Sequence, residues 1–593
     1  MSKHYTPNFR EQTGSSVGVE PLVCLEITHP QLSTPIRVVN DNVDLVQEGD
    51  PSLAFDFTQA SSLSLAALIG SGTIIVTRAA DTATRVNASG LIELVPANTP
   101  RYDYDPISRQ LKGLLIEETS TNLLLRSEDF SVAPWDFSGS GATVVVNQTA
   151  APSGTVTADK LSETAVTLQM YVGQLLAKAA STIQYTLSVY LKQAERSWGF
   201  LTVWSQTSGN GSRAFFNLAT GAKGSFVDLG VPFTGLSSTI EPAANGFYRC
   251  TFTFTADATT TLTTFVSAGL GDGLDAPYAG TAGYGIYMWG SQLIQPSAAA
   301  IGPTSYIPTA GTAVTRNNDD LDVTSLGSWF NNVEGTIAVE WLPGINPWYV
   351  IAEFNDGTTN QRYGVYRNGS NSRIQGYNVA PSIDFDSGPT VDVSPGLIGR
   401  AVVSFKTNDC AISVTGSAST TDTTVSLGIV NRLYLGRSAN SGTGSYYHLN
   451  GHLRKFAYYP RKLSGSNTVN ISRDGLTPPF AGKVAKTFTA FTFSVSLPDD
   501  MSKNMPSAPL VIDNIGKEMT QWLEQSNGGK GALVRIMQIM RDTPNVIEQE
   551  YTLDLLSVNQ GQLTVTGQLG FLNTLDQICL VAAFTPETAP GLF

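Results

Sequence analysis

The chain has 593 residues, with 36 Lys and Arg against 49 Asp and Glu, a formal net charge of −13, and only 14% charged residues. That balance, without a basic stripe, excludes a nucleic-acid partner held through its phosphates and an anionic membrane surface, and no run is apolar enough for membrane insertion as a helix. The length sets a soft expectation of roughly three to five domains. Abundant Gly, Ser, Thr and small apolar residues suit a mainly all-β chain of sandwiches with many turns.

Residues 1–20, "MSKHYTPNFREQTGSSVGVE", form a polar, extended N-terminal arm with no apolar core and therefore no secretory signal. Its "GSSVG" fits the hydrolase pattern G-x-S-x-G, but no strand precedes it and no helix follows, so Ser16 is not placed on a nucleophile elbow. Residues 21–50 hold two short strands and turns. The stretch "IRVVNDNVDLVQEGD", 36–50, reads as a strand running up to a tight connection, yet the residues after it make a poor return strand.

Residues 51–125 read as an irregular lead-in with short strands. Residues 126–314 carry alternating runs such as "TIQYTLSVYLKQ", in which Ile183, Tyr185, Leu187, Val189 and Leu191 share a face, and "YRCTFTF", which puts Cys250 beside Tyr248, Phe252 and Phe254 as a small core residue. Residues 315–484 carry "GTIAVEWLP", "RAVVSFKTNDCAISVTG" and "NRLYLGRS" before a return linker. Both halves are predicted antiparallel β-sandwiches.

The orphan strand at 36–50 finds its expected partner in "KTFTAFTFSVSLPDD", 486–500, where Phe491, Phe493, Val495 and Leu497 alternate with Thr492, Ser494 and Ser496. "DNIGKEMTQWLEQSNGG" follows as a helix, with Asp513 or Asn514 as its cap and Gly528 or Gly529 as its stop. Its apolar face is Ile515, Met519, Trp522 and Leu523. "EYTLDLLSVNQGQLTVTGQLGF" is a hairpin turning at Asn559–Gly561, with Leu563, Val565, Leu569 and Phe571 in register. Residues 21–50 and 485–593 are together the size of one ordinary α+β domain, and neither is complete alone. The expectation is one split domain carrying residues 51–484 at a hairpin tip, where insertions are tolerated.

The catalytic inventory is thin. The four cysteines, Cys24, Cys250, Cys410 and Cys579, lie far apart without metal-ligand spacing or a disulfide framework, as expected of a chain made in a reducing cytosol. "GGKG", 528–531, lacks the rest of a phosphate loop. His448 and His452 flank an Asn450–Gly451 turn and do not share a helix face. Glu117 and Glu118 are adjacent and point to opposite faces of a strand, so they suit structural pairing with Arg101 or Arg126 better than paired-acid catalysis. "RNNDDLD" (Asp319, Asp320, Asp322) and "GDGLDAP" (Asp272, Asp275) are dense enough in oxygen to be candidate Ca²⁺ loops, with a solvated loop as the simpler reading. No other cofactor is expected. Candidate glycan contacts are aromatic and Arg side chains expected in loops: Trp348, Tyr349, Arg362, Tyr363, Tyr366, Tyr446 and Tyr447.

The stretches "PLVCLEITHPQLSTPIRVVND", "TFTAFTFSVSLPDD", "LVIDNIGKEMTQWLE", "IMRDTPNVIEQEYTLDLLSV" and "FTPETAPGLF" resemble a family of long-tailed bacteriophage tail-tip proteins. This sequence departs from that pattern by its large insertion. Within the insertion, "TRAADTATRVNASGLIELVPANTPRYDYDP", "GLLIEETSTNLLLRSEDFSVAPW", "YTLSVYLKQ" and "TSYIPTAGTAVTR" resemble carbohydrate-binding-like modules of phage fibres. "NRLYLGRS" through "LNGHLRKFAYYPRKLS" resembles the end of a concanavalin-A-like or laminin-G-like lectin domain. The resemblance implies a virion component of the tail tip or baseplate, synthesised in the host cytoplasm. It implies partners among the tail tube, distal tail ring, hub and fibres, and a homo-oligomer, a trimer in preference to a hexamer. The insertion would bind host cell-surface glycan and would not be an enzyme. The alternatives are a glycan depolymerase or esterase of the tail, and a purely structural spacer binding other tail proteins.

Overall fold

The computed structural model describes residues 21–30, 32–39, 45–46, 51–58, 65, 67, 72–295, 302–344, 348–368, 371–377, 385–387, 393–439, 448–463, 487–490, 493–495, 507–513, 518–526, 528–529, 531–540, 543–561 and 564–570. It is almost entirely antiparallel β-structure. Among the described residues no helix is long and apolar enough to cross a membrane. The chain divides into two compact units, one formed by 1–50 with 482–593 and the other by 51–481.

The first unit is built on a nine-stranded sheet. Its order across the sheet is Leu45–Val46, Thr487–Ala490, Leu32–Val39, Pro21–His29, Leu533–Met540, Thr543–Gln560, Thr564–Gly570, Ser507–Asp513 and Phe493–Val495. Thr487–Ala490 pairs antiparallel with Leu45–Val46 (Leu45 opposite Phe488) and parallel with Leu32–Val39 (Val38 opposite Thr489). The chain therefore leaves this sheet and re-enters it on neighbouring strands. Glu518–Gln525 is helical. Of the expected caps, Asp513 ends a strand and pairs with Thr564, and Asn514 lies outside the described residues. Trp522 and Leu523 are buried against Leu25, Ile27, Leu510 and Val534, and Gly528 and Gly529, at φ 76° and 75°, follow its end. The hairpin closes where Gly561 N–H donates to the Thr564 carbonyl at 2.8 Å. The arm 1–20 and the side chains of Ile515, Met519, Phe491, Leu497, Leu563 and Phe571 lie outside the described residues.

Because both pieces of this unit share one sheet and one core, joining Asp50 to Gly482 through a short Gly-containing turn is expected to leave a folded protein. Circular dichroism of the joined chain should show a β signal and a cooperative melt; an unfolded spectrum would refute the split-unit description.

The second unit holds two sandwiches with separate cores. In the first, one sheet runs Trp135–Asp136, Met170–Ala177, Thr261–Gly269, Trp198–Trp204, Gly211–Asn217 and Ala222–Leu229. The facing sheet runs Ala142–Thr149, Ala158–Glu163, Gly285–Ile294, Gln184–Gln193, Tyr248–Thr255 and Thr234–Pro242. Tyr185, Leu187, Val189, Leu191 and Cys250 are buried between the sheets, and Ile183 packs against them.

In the second sandwich a seven-stranded sheet includes Ile75–Thr77, Asp320–Val323, Arg432–Leu435, Trp348–Asn355 and Arg362–Asn368. An eight-stranded sheet faces it, centred on Glu334–Leu342 and Gly451–Tyr459. The lead-in 51–125 is not a separate connector. It gives this sandwich the strands Leu53–Asp56, Ile75–Thr77, Tyr102–Tyr104 and Leu111–Ile116, and Phe55, Phe57 and Tyr102 join its core beside Phe456. Strands of three to six residues bury little apolar surface by themselves, so they are stable only as additions to a larger sheet.

Candidate functional site

The second sandwich places most of the expected glycan contacts in its interior. Trp348 opens the strand Trp348–Asn355 and is 46% exposed. Tyr349 is fully buried, and its hydroxyl accepts a hydrogen bond from Trp341 Nε1 at 3.0 Å. Tyr363 packs edge-on to Phe405 with ring centroids 5.1 Å apart. Tyr366 donates to Glu353 Oε2 at 2.7 Å; Ser438 Oγ donates to the same oxygen at 2.7 Å and accepts from Arg362 Nη1 at 2.9 Å. Tyr349, Arg362, Tyr363 and Tyr366 are thus strand residues committed to a core or to a buried polar network, not loop residues open to a ligand. Tyr446 and Tyr447 lie outside the described residues.

The candidate calcium carboxylates are likewise occupied. Asp319 pairs with Arg78 at 2.8 Å and with Arg101, and accepts the Glu117 N–H at 3.0 Å. Asp320 faces His448 Nε2 at 3.2 Å, and Asp322 takes Arg437 through two contacts of 2.8 and 2.6 Å. Arg437 also lies over the Tyr434 ring, 3.7 Å from its centroid. Asp272 accepts from Ser225 N and Oγ at 2.8 and 3.0 Å, and Asp275 pairs with Arg213. No group of three or more His, Cys, Asp or Glu among the described residues is arranged to hold a metal. His448 and His452 turn to different carboxylates, His452 to Asp103 at 2.8 Å.

Glu117 does pair with Arg101, at 2.7 Å, inside a buried cluster with Arg316 at 3.3 Å and Ser305. Burial pushes its carboxyl up, but Arg316, Arg101 and the Ser305 donors outweigh that and hold it at about 2. Arg126 instead donates to the Ala133 carbonyl.

A second, partly exposed aromatic surface lies on the outer face of the first sandwich. In "WGFLTVW", Leu201 and Val203 enter the core, leaving Trp198, Phe200, Thr202 and Trp204 on the opposite face. The register aligns Tyr171, Ser267, Phe200 and Phe215 in one row across four strands. Gly173, Phe265, Thr202 and Arg213 form the next, and Leu175, Thr263, Trp204 and Gly211 a third. Tyr171 meets Phe265 edge-on at 5.2 Å, and Phe200 stacks on Phe215 at 4.6 Å. Tyr171, Trp198, Trp204 and Phe265 are half-buried, and Leu175 is 52% exposed.

The loop 270–277 crosses part of this face. Asp272 lies against Gly224 beside Phe215 and Trp198, and Leu274 lies near Gly269 and Phe200. Three ties hold the loop: the Asp272 contacts with Ser225, the Asp275–Arg213 ion pair, and a hydrogen bond from Gln169 Nε2 to the Asp275 carbonyl. The strip left beside the loop offers the partly exposed rings of Tyr171, Trp204 and Phe265. Such rings can stack on the apolar face of a sugar. Sequence alone shows apolar residues on both parities of 198–204, a pattern shared with strands buried on both faces.

Residues 463–584 match a family described as a domain of unknown function, DUF1833. No curated protein matches the chain. Among solved structures, the chain is similar to domain 4 of AbnA, a GH43 extracellular arabinanase from Geobacillus stearothermophilus solved with arabinotriose. Identity there is 12%, over 26% of this chain and 73% of that one, with a TM-score of 0.23. It is also similar to domains LG4-5 of the mouse laminin alpha1 chain, at 12% identity over 49% and 89% of the two chains and a TM-score of 0.17. For the LG1-3 region of the laminin alpha2 chain the values are 9%, 67%, 90% and 0.19. Residues 463–584 are thus similar to DUF1833, and residues 51–481 form a large all-β unit.

Proposed function

We propose that the chain is a tail-tip or baseplate component of a long-tailed bacteriophage, and that its unit 51–481 attaches the virion to host surface glycan. The DUF1833 match supports the phage assignment, since that family is often found in phage proteins. The observation that carries the binding reading is the set of half-buried aromatic residues Tyr171, Phe265 and Trp204, one in each of three successive rows on the outer face of the first sandwich. The reading is of binding without cleavage. The best acidic candidate, Glu117, is tied to Arg101 and Arg316, and glycoside hydrolysis needs two free carboxylates across the bond. The first unit, assembled with other tail proteins as a ring or trimer, would multiply weak contacts into avid attachment.

Trp204→Ala tests the site. Losing one stacking ring should remove about 1 kcal/mol, roughly a fivefold loss of affinity for bound glycan on an array, with the melting temperature unchanged. Trp348→Ala should have a smaller effect. Binding unaffected by Trp204→Ala would overturn the site assignment, and release of new reducing ends from host glycan would overturn binding without cleavage.

A further inference from the structure

Arg213 sits in the middle row of the aromatic face, between Thr202 and Val227 on the neighbouring strands, and is only 9% exposed. Asp275, delivered by the loop 270–277, pairs with it through Nη1 alone. Its Nε is buried without a hydrogen-bond partner. A guanidinium offers a planar fork that matches a carboxylate bidentately, so one prong of this buried fork is unused.

The loop is suited to yield. Asp272 and Leu274 are exposed, Leu274 at 58%, so lifting the loop uncovers little apolar surface of its own. Gly273, at φ 68°, lies between the ties at Asp272 and Asp275, and Gly271 lies just before them. What lifting uncovers is Phe200, Phe215 and Arg213. A sugar ring could cover the phenyl faces, but only an anion could replace Asp275. A neutral sugar would leave Arg213 buried and unpaired, which is costly.

We propose that the loop 270–277 is an internal stand-in for ligand, and that this face takes a carboxylate-bearing saccharide. Its carboxylate displaces Asp275 and engages Nε and one Nη of Arg213, while its ring covers the aromatic strip beside Trp204. Carboxylate replaces carboxylate, so the charge at the site is conserved and selectivity for acidic sugars follows. This inference rests on the reading that the face binds glycan.

The test uses the full chain on an array that pairs oligosaccharides ending in galacturonate, glucuronate, guluronate or sialic acid with the same oligosaccharides reduced to the neutral alcohol. The wild type should prefer acidic members about tenfold, as expected when a charge-assisted fork is gained. Arg213→Gln should abolish the preference, and Arg213→Lys should restore part of it. Asp275→Asn should tighten acidic binding about tenfold by releasing the loop. Unfolding curves for each variant report whether the fold is retained. Glycan binding that depends on Trp204 but ignores charge, Arg213 and Asp275 would overturn this inference and leave the glycan-binding reading standing. No binding by any form would overturn both.

Discussion

Replacing Arg101 with Ala is expected to destabilise the 51–481 unit by about 3–5 kcal/mol, the cost of breaking a buried ion pair by removing one partner. Arg101 is 1% exposed and donates to Glu117 Oε2 at 2.7 Å, the Thr84 carbonyl at 3.0 Å and Ser305 Oγ at 2.9 Å, besides its contacts with Asp319. The cluster also takes in Arg78 and Arg316, both buried. Its members come from the segments that flank the first sandwich in sequence, 78–117 before it and 305–319 after it, so it fastens the chain's entry into that sandwich to its exit. Without Arg101, two buried carboxylates share fewer cations and keep their desolvation penalty. Urea unfolding of the full chain should show the transition of this unit shifted to lower denaturant. A change within about 0.5 kcal/mol, typical of a surface substitution, would contradict the account. In a double-mutant cycle, Arg101→Met with Glu117→Gln should cost less than the sum of the single changes.

The same cluster makes the unit sensitive to acid. Glu117 is held at about 2 in the folded protein against an ordinary 4.5. A carboxyl depressed on folding contributes stability that is fully present above its unfolded pKa and disappears as pH falls through the folded value. The window is therefore about pH 4.5 down to about 2, and a shift of that size corresponds to about 3 kcal/mol. Asp103 acts in the same sense: burial raises its pKa, but Lys112 and His452 outweigh burial and bring it well below the usual carboxylate range. His452 is lowered chiefly by burial, so it too resists protonation in the fold and begins to oppose stability at a higher pH. Thermal unfolding followed from pH 7 to pH 2 should show a steep loss below pH 4.5. Glu117→Gln should be less stable at pH 7 and should flatten that profile; an unchanged slope would refute the assignment.

What the sequence displayed was mostly what is local. Trp522 and Leu523 on one helical face, the hairpin after residue 551, which closes at Gly561 because Asn559 and Gln560 stay in the strand instead of forming the expected turn, and the shared face of Tyr185, Leu187, Val189 and Leu191 depend on spacings of a few residues, and spacing is visible in a string. The pairing of Phe55 with Phe456 is a contact across almost the whole length of the insertion, invisible to periodicity, which is why 51–125 read as a connector. Tyr349, Tyr363 and Tyr366 read as loop aromatics because ring content alone does not distinguish core from surface. In Trp348–Asn355 a bulge between Val350 and Ala352 also shifts the alternation, so that Tyr349, Ile351, Ala352 and Phe354 all reach the core. Asp272 and Asp275 showed the chemistry of calcium ligands, but only the fold reveals that Ser225 and Arg213 occupy them. The aromatic face itself was written in "WGFLTVW", yet its exposure depends on what packs above it, and that is set by residues 270–277 returning from the next strand.

Docking of host glycan on the outer face of the first sandwich is tested by hydrogen–deuterium exchange of the full chain, with and without purified host surface glycan. Exchange should slow in 198–204 and 261–267 and quicken in 270–277 as the loop is displaced. Protection confined to 348–355 and 362–368, or no protection anywhere in 51–481 at saturating glycan, would contradict it.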